Sequence, residues 1–281
     1  MKRPLEISQD LGQIETIRSL TGVFENIASL HIGRIKDQVL ASERFFSELW
    51  HLYSSLRVEA ATPALQALAA KRNLDRTAFV VITSEGGLSG DVDQRIIEVM
   101  RRDYKPDQVD LVVIGYHGVV LLQQHNLPVK KFFRLPSTDA PVNVTPVINQ
   151  IARYKRVFIY YQRFVSLAVQ RSERIALLSA VRQLGHAATT NQPVISPKEF
   201  LFEPSLDEVV TYLETVMMEI ALGQTILDSR LSQLASRFNA MRQAQDKAQD
   251  LADALKRDFF SAKRAQSDER IREVIAAMGT L

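Results

Sequence analysis

Leu206, Leu213, Ile220, Leu227, Leu234, Met241, Ala248, Leu255 and Ala262 fall one every seven residues in a stretch without proline. Four positions after most of them comes a second apolar set: Val210, Met217, Leu231, Phe238, Ala252 and Phe259. Two apolar positions per heptad make a narrow seam that must face another helix, and a strict seven-residue period implies a left-handed supercoil. A helix of roughly 70 residues at about 1.5 Å each would be a rod on the order of 100 Å long. Ordinary globular helices run about 8 to 20 residues. The spacing therefore predicts a mechanical element, and its partner has to come from elsewhere in the chain.

The first sixty residues can supply that partner. Ile14, Ile17, Leu20, Phe24, Ile27, His31, Ile35, Phe45, Leu49, Leu52 and Leu56 recur at three- and four-residue steps, and residues 6–57 contain no proline. Gly22 and Gly33 weaken a helix there without ending it. Ser8 or Asp10 is placed to cap its start. Two long amphipathic helices, one at each end of the chain, pack most simply as an antiparallel coiled coil. The expected seam contains Ile14, Phe24 and Ile35 from the first helix. From the second it contains Leu227, Leu234, Phe238, Met241, Leu255 and Phe259.

The middle of the chain follows another pattern. Residues 78–83, 109–114 and 156–161 are short apolar, β-branched runs of the kind buried on both faces of a parallel sheet. Helical patterns at 92–102, 119–125 and 146–153 separate them, which reads as a small α/β domain, mostly parallel and Rossmann-like. Residues 166–178 suit one or two further strands of a hairpin, and 194–197 a loop exit. The expected organisation is an N-terminal coiled-coil helix over 1–60, an α/β domain over 61–204, and a C-terminal long helix over 205–281.

The sequence contains no cysteine, which excludes disulfides, thiolate nucleophiles and thiolate metal sites. The 35 Lys and Arg are interleaved with 32 Asp and Glu, a pattern of solvated helix faces and not of a nucleic-acid partner. No apolar run approaches 18 residues, and Met1-Lys2-Arg3-Pro4 leads into a helix and not into a signal peptide.

A glycine-rich turn between strand and helix is where α/β folds bind phosphate. Here the turn is Ser84-Glu85-Gly86-Gly87-Leu88-Ser89-Gly90-Asp91, with no G-x-G-x-x-G, no Gly-Lys-Ser/Thr and no nucleophile elbow around Ser89. Its glycines read as allowances for a tight turn and close packing. His31, His51, His117, His125 and His186 lack metal-ligand spacing. Asp91 and Asp93 read as helix caps, and Asp246, Asp250 and Asp253 as a solvated helix face. No catalytic, cofactor or metal site is expected in this chain.

Several segments, in order along the chain, carry a family resemblance. They are Ile17-Arg18-Ser19-Leu20-Thr21, the turn just described, Ile114-Gly115 with Gly118, Phe200-Leu201-Phe202-Glu203-Pro204, and Ala240-Met241 with Ala244, Asp246 and Ala248. Together they resemble the gamma subunit of the F-type ATP synthases, the central stalk that turns inside a ring of three alpha and three beta subunits. The chain departs from the family pattern at Val23-Phe24-Glu25-Asn26, at Ser89 where a cysteine is common, and at Lys263-Arg264 where the family carries Arg-Gln.

The resemblance implies a non-catalytic subunit of an ion-transporting ATPase, one copy per complex, peripheral on the cytoplasmic face of a bacterial inner membrane. Its partners would be three alpha and three beta subunits, an epsilon subunit and the membrane c-ring. ATP, ADP and Mg would be held by alpha and beta, with no cofactor on this chain. Contacts to beta are expected at Lys256, Arg257, Lys263, Arg264, Arg270 and Arg272, and contacts to the membrane ring and epsilon at Phe200, Phe202 and Glu203. From the residues alone, a free-standing coiled-coil scaffold and a nucleotide-binding α/β module with helical arms remain open.

Overall fold

The computed structural model describes residues 3–57, 74–135, 142–177, 203 and 205–278. Its elements are α1 (Pro4–Arg57), β1 (Leu74–Ile82), α2 (Val92–Asp103), β2 (Val109–Ile114), α3 (Tyr116–Gln124), β3 (Val129–Phe133), α4 (Thr145–Ile151), β4 (Tyr154–Phe164), β5 (Gln170–Ala176) and α5 (Leu206–Met278). They form two compact units. One contains residues 30–236, the other residues 1–29 with 237–281. The loop exit expected at 194–197 and the expected boundary residues 60, 61 and 204 lie outside the described residues.

In the first unit the strand order is β3-β2-β1-β4-β5, with β5 antiparallel and the other neighbours parallel. The three apolar runs become β1, β2 and β4 because they fill both faces of the sheet. Phe79, Val81, Val113 and Tyr160 point to one side, where Ile96, Ile97 and Met100 of α2 and Leu121 and Leu122 of α3 cover them. Val80, Ile82, Val112 and Ile159 point to the other, onto Val147, Ile148 and Ile151 of α4 and Leu222 and Ile226 of α5. Successive residues of a strand alternate faces, so a continuous apolar run is what a doubly covered sheet needs. The hairpin expected at 166–178 is the β4–β5 pair. Sequence reasoning missed β3, an edge strand whose central Lys130 and Lys131 are exposed; charge on an edge is a common defence against stray pairing.

α1 and α5 also meet in this unit. Ile35 packs on Leu227, Leu231 and Leu234. Further along α1, Phe46 and Tyr53 pack on Leu213, Met217 and Ala221. Moving forward along α1 moves backward along α5, so the pair is antiparallel. The Tyr53 hydroxyl donates to Glu214 at 2.6 Å, and both residues are buried. Removing that donor leaves a buried carboxylate short of one hydrogen bond. Tyr53→Phe should therefore lower the stability of the chain by about 1–3 kcal/mol, measured by urea denaturation.

In the second unit the same two helices pair through smaller residues. Ile7, Thr21 and Ala28 of α1 are buried, as are Met241, Ala248, Ala252 and Ala262 of α5. Glu15 lies 3.4 Å from Lys256, Arg18 donates to Gln249 at 2.5 Å, and Gly22 faces Gln245. Again the order is antiparallel.

The buried positions of α1 differ from the expected stripe. Ile7, Thr21, Ala28 and Ile35 are buried at multiples of seven; Phe46 and Tyr53, seven residues apart, are buried after a step of eleven from Ile35. Ile17, Leu20, Phe24, Ile27, Phe45 and Leu52 are exposed instead. α1 has a second apolar face, and the bulkier one points outward. The start of α1 also differs. Pro4 opens the helix and Glu6 accepts from the Arg3 amide, so Ser8 and Asp10 are interior positions and not caps. At α5 the cap is Ser205, whose hydroxyl accepts from the Glu208 amide. No described helix is long and apolar enough to cross a membrane.

Candidate functional site

The turn after β1 is tied together by its own polar groups. Asp93, in the first turn of α2 and 1% exposed, accepts the Ser84 amide at 3.3 Å and the Ser84 hydroxyl at 2.5 Å. The His117 ring, at the start of α3, bonds the same carboxylate through Nδ1 at 2.7 Å. That hydrogen bond raises the His117 pKa above its usual 6.5, against a smaller opposing effect of burial. Asp93 is therefore an internal crosslink and not the helix cap expected from its position. Asp91 does precede α2, but its carboxylate makes no capping bond and pairs with Arg95.

The glycines of this turn differ in what they do. A Cβ on Gly86 or Gly87 would meet nothing within 4 Å. Gly90 has φ +63°, a conformation that favours glycine, and a Cβ there would sit 3.2 Å from the Ser236 hydroxyl of α5, so it is the glycine of this turn whose position restricts a side chain. Ser236 in turn donates to the Ser89 carbonyl at 2.8 Å. Leu88 also has a positive φ, 69°. Just after β2, Gly115 at φ +102° lies against the Thr83 carbonyl, and Gly118 in α3 lies against the Thr83 side chain. Thr83 and Gly118 are bonded as well, the Gly118 amide donating to the Thr83 hydroxyl oxygen. These polar groups therefore hold β1, β2, α2, α3 and α5 together.

A second polar cluster lies where β4 and β5 meet α1 and α5. Glu43, Arg163, Glu173, Gln224 and Asp228 line a cavity of about 460 Å³. Asp228 accepts the Phe164 amide at 3.2 Å. Burial pushes its carboxyl up to about 6; the Phe164 amide and Arg163 oppose the shift, while Glu173 and Glu43 add to it. Among the described residues no three His, Asp or Glu are grouped to hold a metal ion.

The expected seam residues are placed as follows. Ile35, Leu227, Leu234 and Met241 are buried, while Ile14, Phe238, Leu255 and Phe259 are partly buried. Phe24 is exposed and stands off the seam, on the outer face with Ile17, Leu20, Val23 and Ile27. Thr21 and Ala28 hold the buried positions on either side of it. The signal that finds them is the seven-residue step from Ile7, not hydrophobicity.

The end of α5 is different in character. Every residue from 263 to 278 is exposed. Arg257, Lys263, Arg264, Arg270 and Arg272 are all exposed cations, whereas Lys256 is only partly exposed and faces Glu15. Ile271, Val274, Ile275 and Met278 add exposed apolar side chains at three- and four-residue steps. Glu203 is exposed; Phe200 and Phe202 lie outside the described residues.

Comparison with known proteins adds a family context. A family model described as ATP synthase matches residues 5–281. The chain is similar to the ATP synthase gamma chain of Cytophaga hutchinsonii, 22% identical with 98% of each chain covered. It is also similar to that of Bifidobacterium adolescentis, 24% identical over 100% of this chain and 98% of the relative. Among solved structures it resembles a chain in the central stalk and c-ring of the Tetrahymena thermophila mitochondrial ATP synthase. That match has a TM-score of 0.55 and 20% identity, covering 80% of this chain and 99% of the other. A chain of the Euglena gracilis mitochondrial ATP synthase matches with a TM-score of 0.56 and 14% identity over 96% and 94%.

Proposed function

The chain belongs to the ATP synthase gamma-chain family, and from that premise we propose that it is the rotating central stalk of an F-type ATP synthase. In this role it transmits torque between a membrane ion-translocating ring and a catalytic ring of three alpha and three beta subunits, and regulates whether ATP is made or hydrolysed. One observation carries the reading. The end of α5 leaves its cations and its apolar side chains exposed, as a helix seated inside another protein requires.

The mechanism is a matter of asymmetry. A shaft without threefold symmetry presents different side chains to each of three equivalent beta subunits. Each angle therefore favours a different nucleotide-site conformation at each one, and rotation moves the preference around the ring. Arg257, Lys263, Arg264, Arg270 and Arg272 are the cations offered to acidic groups on beta. Lys256 is a weaker candidate because Glu15 already faces it at 3.4 Å. Exposed ion pairs contribute only about 0–1 kcal/mol each, so these residues set angular register and do not hold the complex together. Glu203, with Phe200 and Phe202, is the proposed contact to epsilon and the membrane c-ring.

On this reading the chain has no catalytic site and holds no cofactor of its own; ATP, ADP and Mg belong to alpha and beta. It is peripheral, on the cytoplasmic face of a bacterial inner membrane.

The test is reconstitution with the cognate alpha and beta subunits. We expect one copy of this chain per three alpha and three beta. Replacing Lys263 and Arg264 together by Ala should lower ATP turnover of the complex severalfold while shifting the isolated chain by less than about 0.5 kcal/mol. A chain that self-associates and ignores alpha and beta overturns the rotor reading. Unchanged turnover in the double variant removes these two residues from the contact set.

A further inference from the structure

The cavity where β4 and β5 meet α1 and α5 is short of positive charge and short of hydrogen-bond partners. Its volume, about 460 Å³, lies in the range of small-molecule sites. Ala221, Gln224, Asp228 and Leu231 follow one another along α5 at three- and four-residue steps and line it, so they share the helix face turned to the cavity. Every lining residue belongs to the unit containing residues 30–236.

Three carboxylates line the cavity, and the bonds they make leave capacity to spare. Asp228 accepts the Phe164 amide through Oδ1, at 3.2 Å. Glu173 accepts from the Tyr161 hydroxyl and from Arg163 at 3.4 Å each, long for either kind of bond. Glu43 comes from α1 and is exposed. Burial first, and then the like charges of Glu173 and Glu43, push the Asp228 carboxyl up, against the Phe164 amide and Arg163. Arg174 also lines the cavity, but its guanidinium is taken by Asp103 at 2.9 Å and lies over the Phe158 ring, on the α2 side of the sheet. That leaves Arg163 as the one cation set against three acids.

Gln224 has the opposite need. It is 9% exposed, and its side-chain amide nitrogen has no hydrogen-bond partner. Buried polar groups nearly always have one, and a nitrogen donor is satisfied by an oxygen and not by a cation. Gln224 lies one turn before Asp228, about 5–6 Å away on the helix surface. Val39, Phe164 and Leu231 supply an apolar wall beside them. We propose that this cavity binds a small aliphatic amino alcohol: its ammonium sits among Asp228, Glu173 and Glu43, its short alkyl chain lies on the apolar wall, and its hydroxyl oxygen accepts from Gln224. A bare metal ion leaves Gln224 unpaired, and among the described residues no three acids are grouped to hold one. An anion is repelled by the three carboxylates.

The test is titration of the full chain, in mildly alkaline buffer, with 3-amino-1-propanol, propylamine and 1-propanol. The NMR signals of the Phe164 amide and of the Gln224 side-chain amide report binding. 3-Amino-1-propanol should give saturable shifts, with propylamine weaker by about fivefold for the one hydrogen bond it lacks, and 1-propanol weaker by at least about tenfold for want of the charge. Asp228→Asn keeps an acceptor for Phe164 but loses the charge, and should weaken the amino alcohol by at least about tenfold. Gln224→Met should abolish the preference for 3-amino-1-propanol over propylamine. No saturable shift with 3-amino-1-propanol, propylamine or 1-propanol binding as tightly, or the same affinity in wild type and both variants overturns the proposal. If a variant fails to fold, the ranking of the three probes on the wild-type chain decides. The isolated chain suffices throughout, so the outcome is separate from that of the alpha and beta reconstitution.

Discussion

Ile35→Asp should unfold the pairing of α1 with α5 in the unit that contains the sheet. Ile35 is 1% exposed and packed on Leu227, Leu231 and Leu234. Losing the isoleucine side chain costs about 2–5 kcal/mol, and an unpaired carboxylate in its place adds several more. The sum rivals the 5–15 kcal/mol that holds a typical domain together. Phe24→Asp makes the informative contrast, because Phe24 is 39% exposed. In the isolated chain it should cost less than about 0.5 kcal/mol. Urea denaturation followed by circular dichroism separates the two. Equal losses would mean that the helix is rotated from the orientation described above.

A second large effect is expected at Gly115. A Cβ there would lie 2.1 Å from the Thr83 carbonyl oxygen, and the residue has φ +102°. Side chains are strained in that region by about 1–3 kcal/mol. The clash adds more, because Thr83 cannot retreat: its amide donates to the Ile114 carbonyl at 2.8 Å, and its hydroxyl donates to the Ile114 and Gly115 carbonyls and accepts from Gly118. Gly115→Ala should therefore cost about 3 kcal/mol or more. Gly86→Ala, in the conspicuous glycine-rich turn, should stay within about 0.5 kcal/mol, because a methyl there meets nothing within 4 Å. Thermal melts of the two variants test the assignment, and a reversal of their order would refute it.

These contrasts also mark what the sequence does and does not disclose. β1, β2 and β4 were legible because a strand covered on both sides must be apolar at every position, which leaves a continuous run. β3 was not, because Lys130 and Lys131 interrupt it and an edge strand needs only one covered face. α5 was legible as a seam because its leucines sit on a single seven-residue ladder. α1 misled because it has two apolar faces: Ile17, Leu20, Phe24 and Ile27 outweigh Thr21 and Ala28 in bulk, yet the smaller residues lie inward. Hydrophobicity reports that a face will be covered, not by which molecule. Asp93 suits a cap because carboxylates favour helix starts, but its partners, Ser84 and His117, are 9 and 24 residues away. The glycine doublet is conspicuous by composition, while Gly115, in the ordinary-looking turn after β2, is the glycine the backbone requires.

The exposed stretch from 263 to 278 bears on how such a chain survives before it meets other proteins. A solitary helix of that length is barely stable in water, and Ile271, Val274, Ile275 and Met278 give it an adhesive stripe. Newly made chains awaiting a host should fray there first, inviting proteases and chaperones to the terminus. On the rotor reading proposed above, burial on incorporation would withdraw that bait.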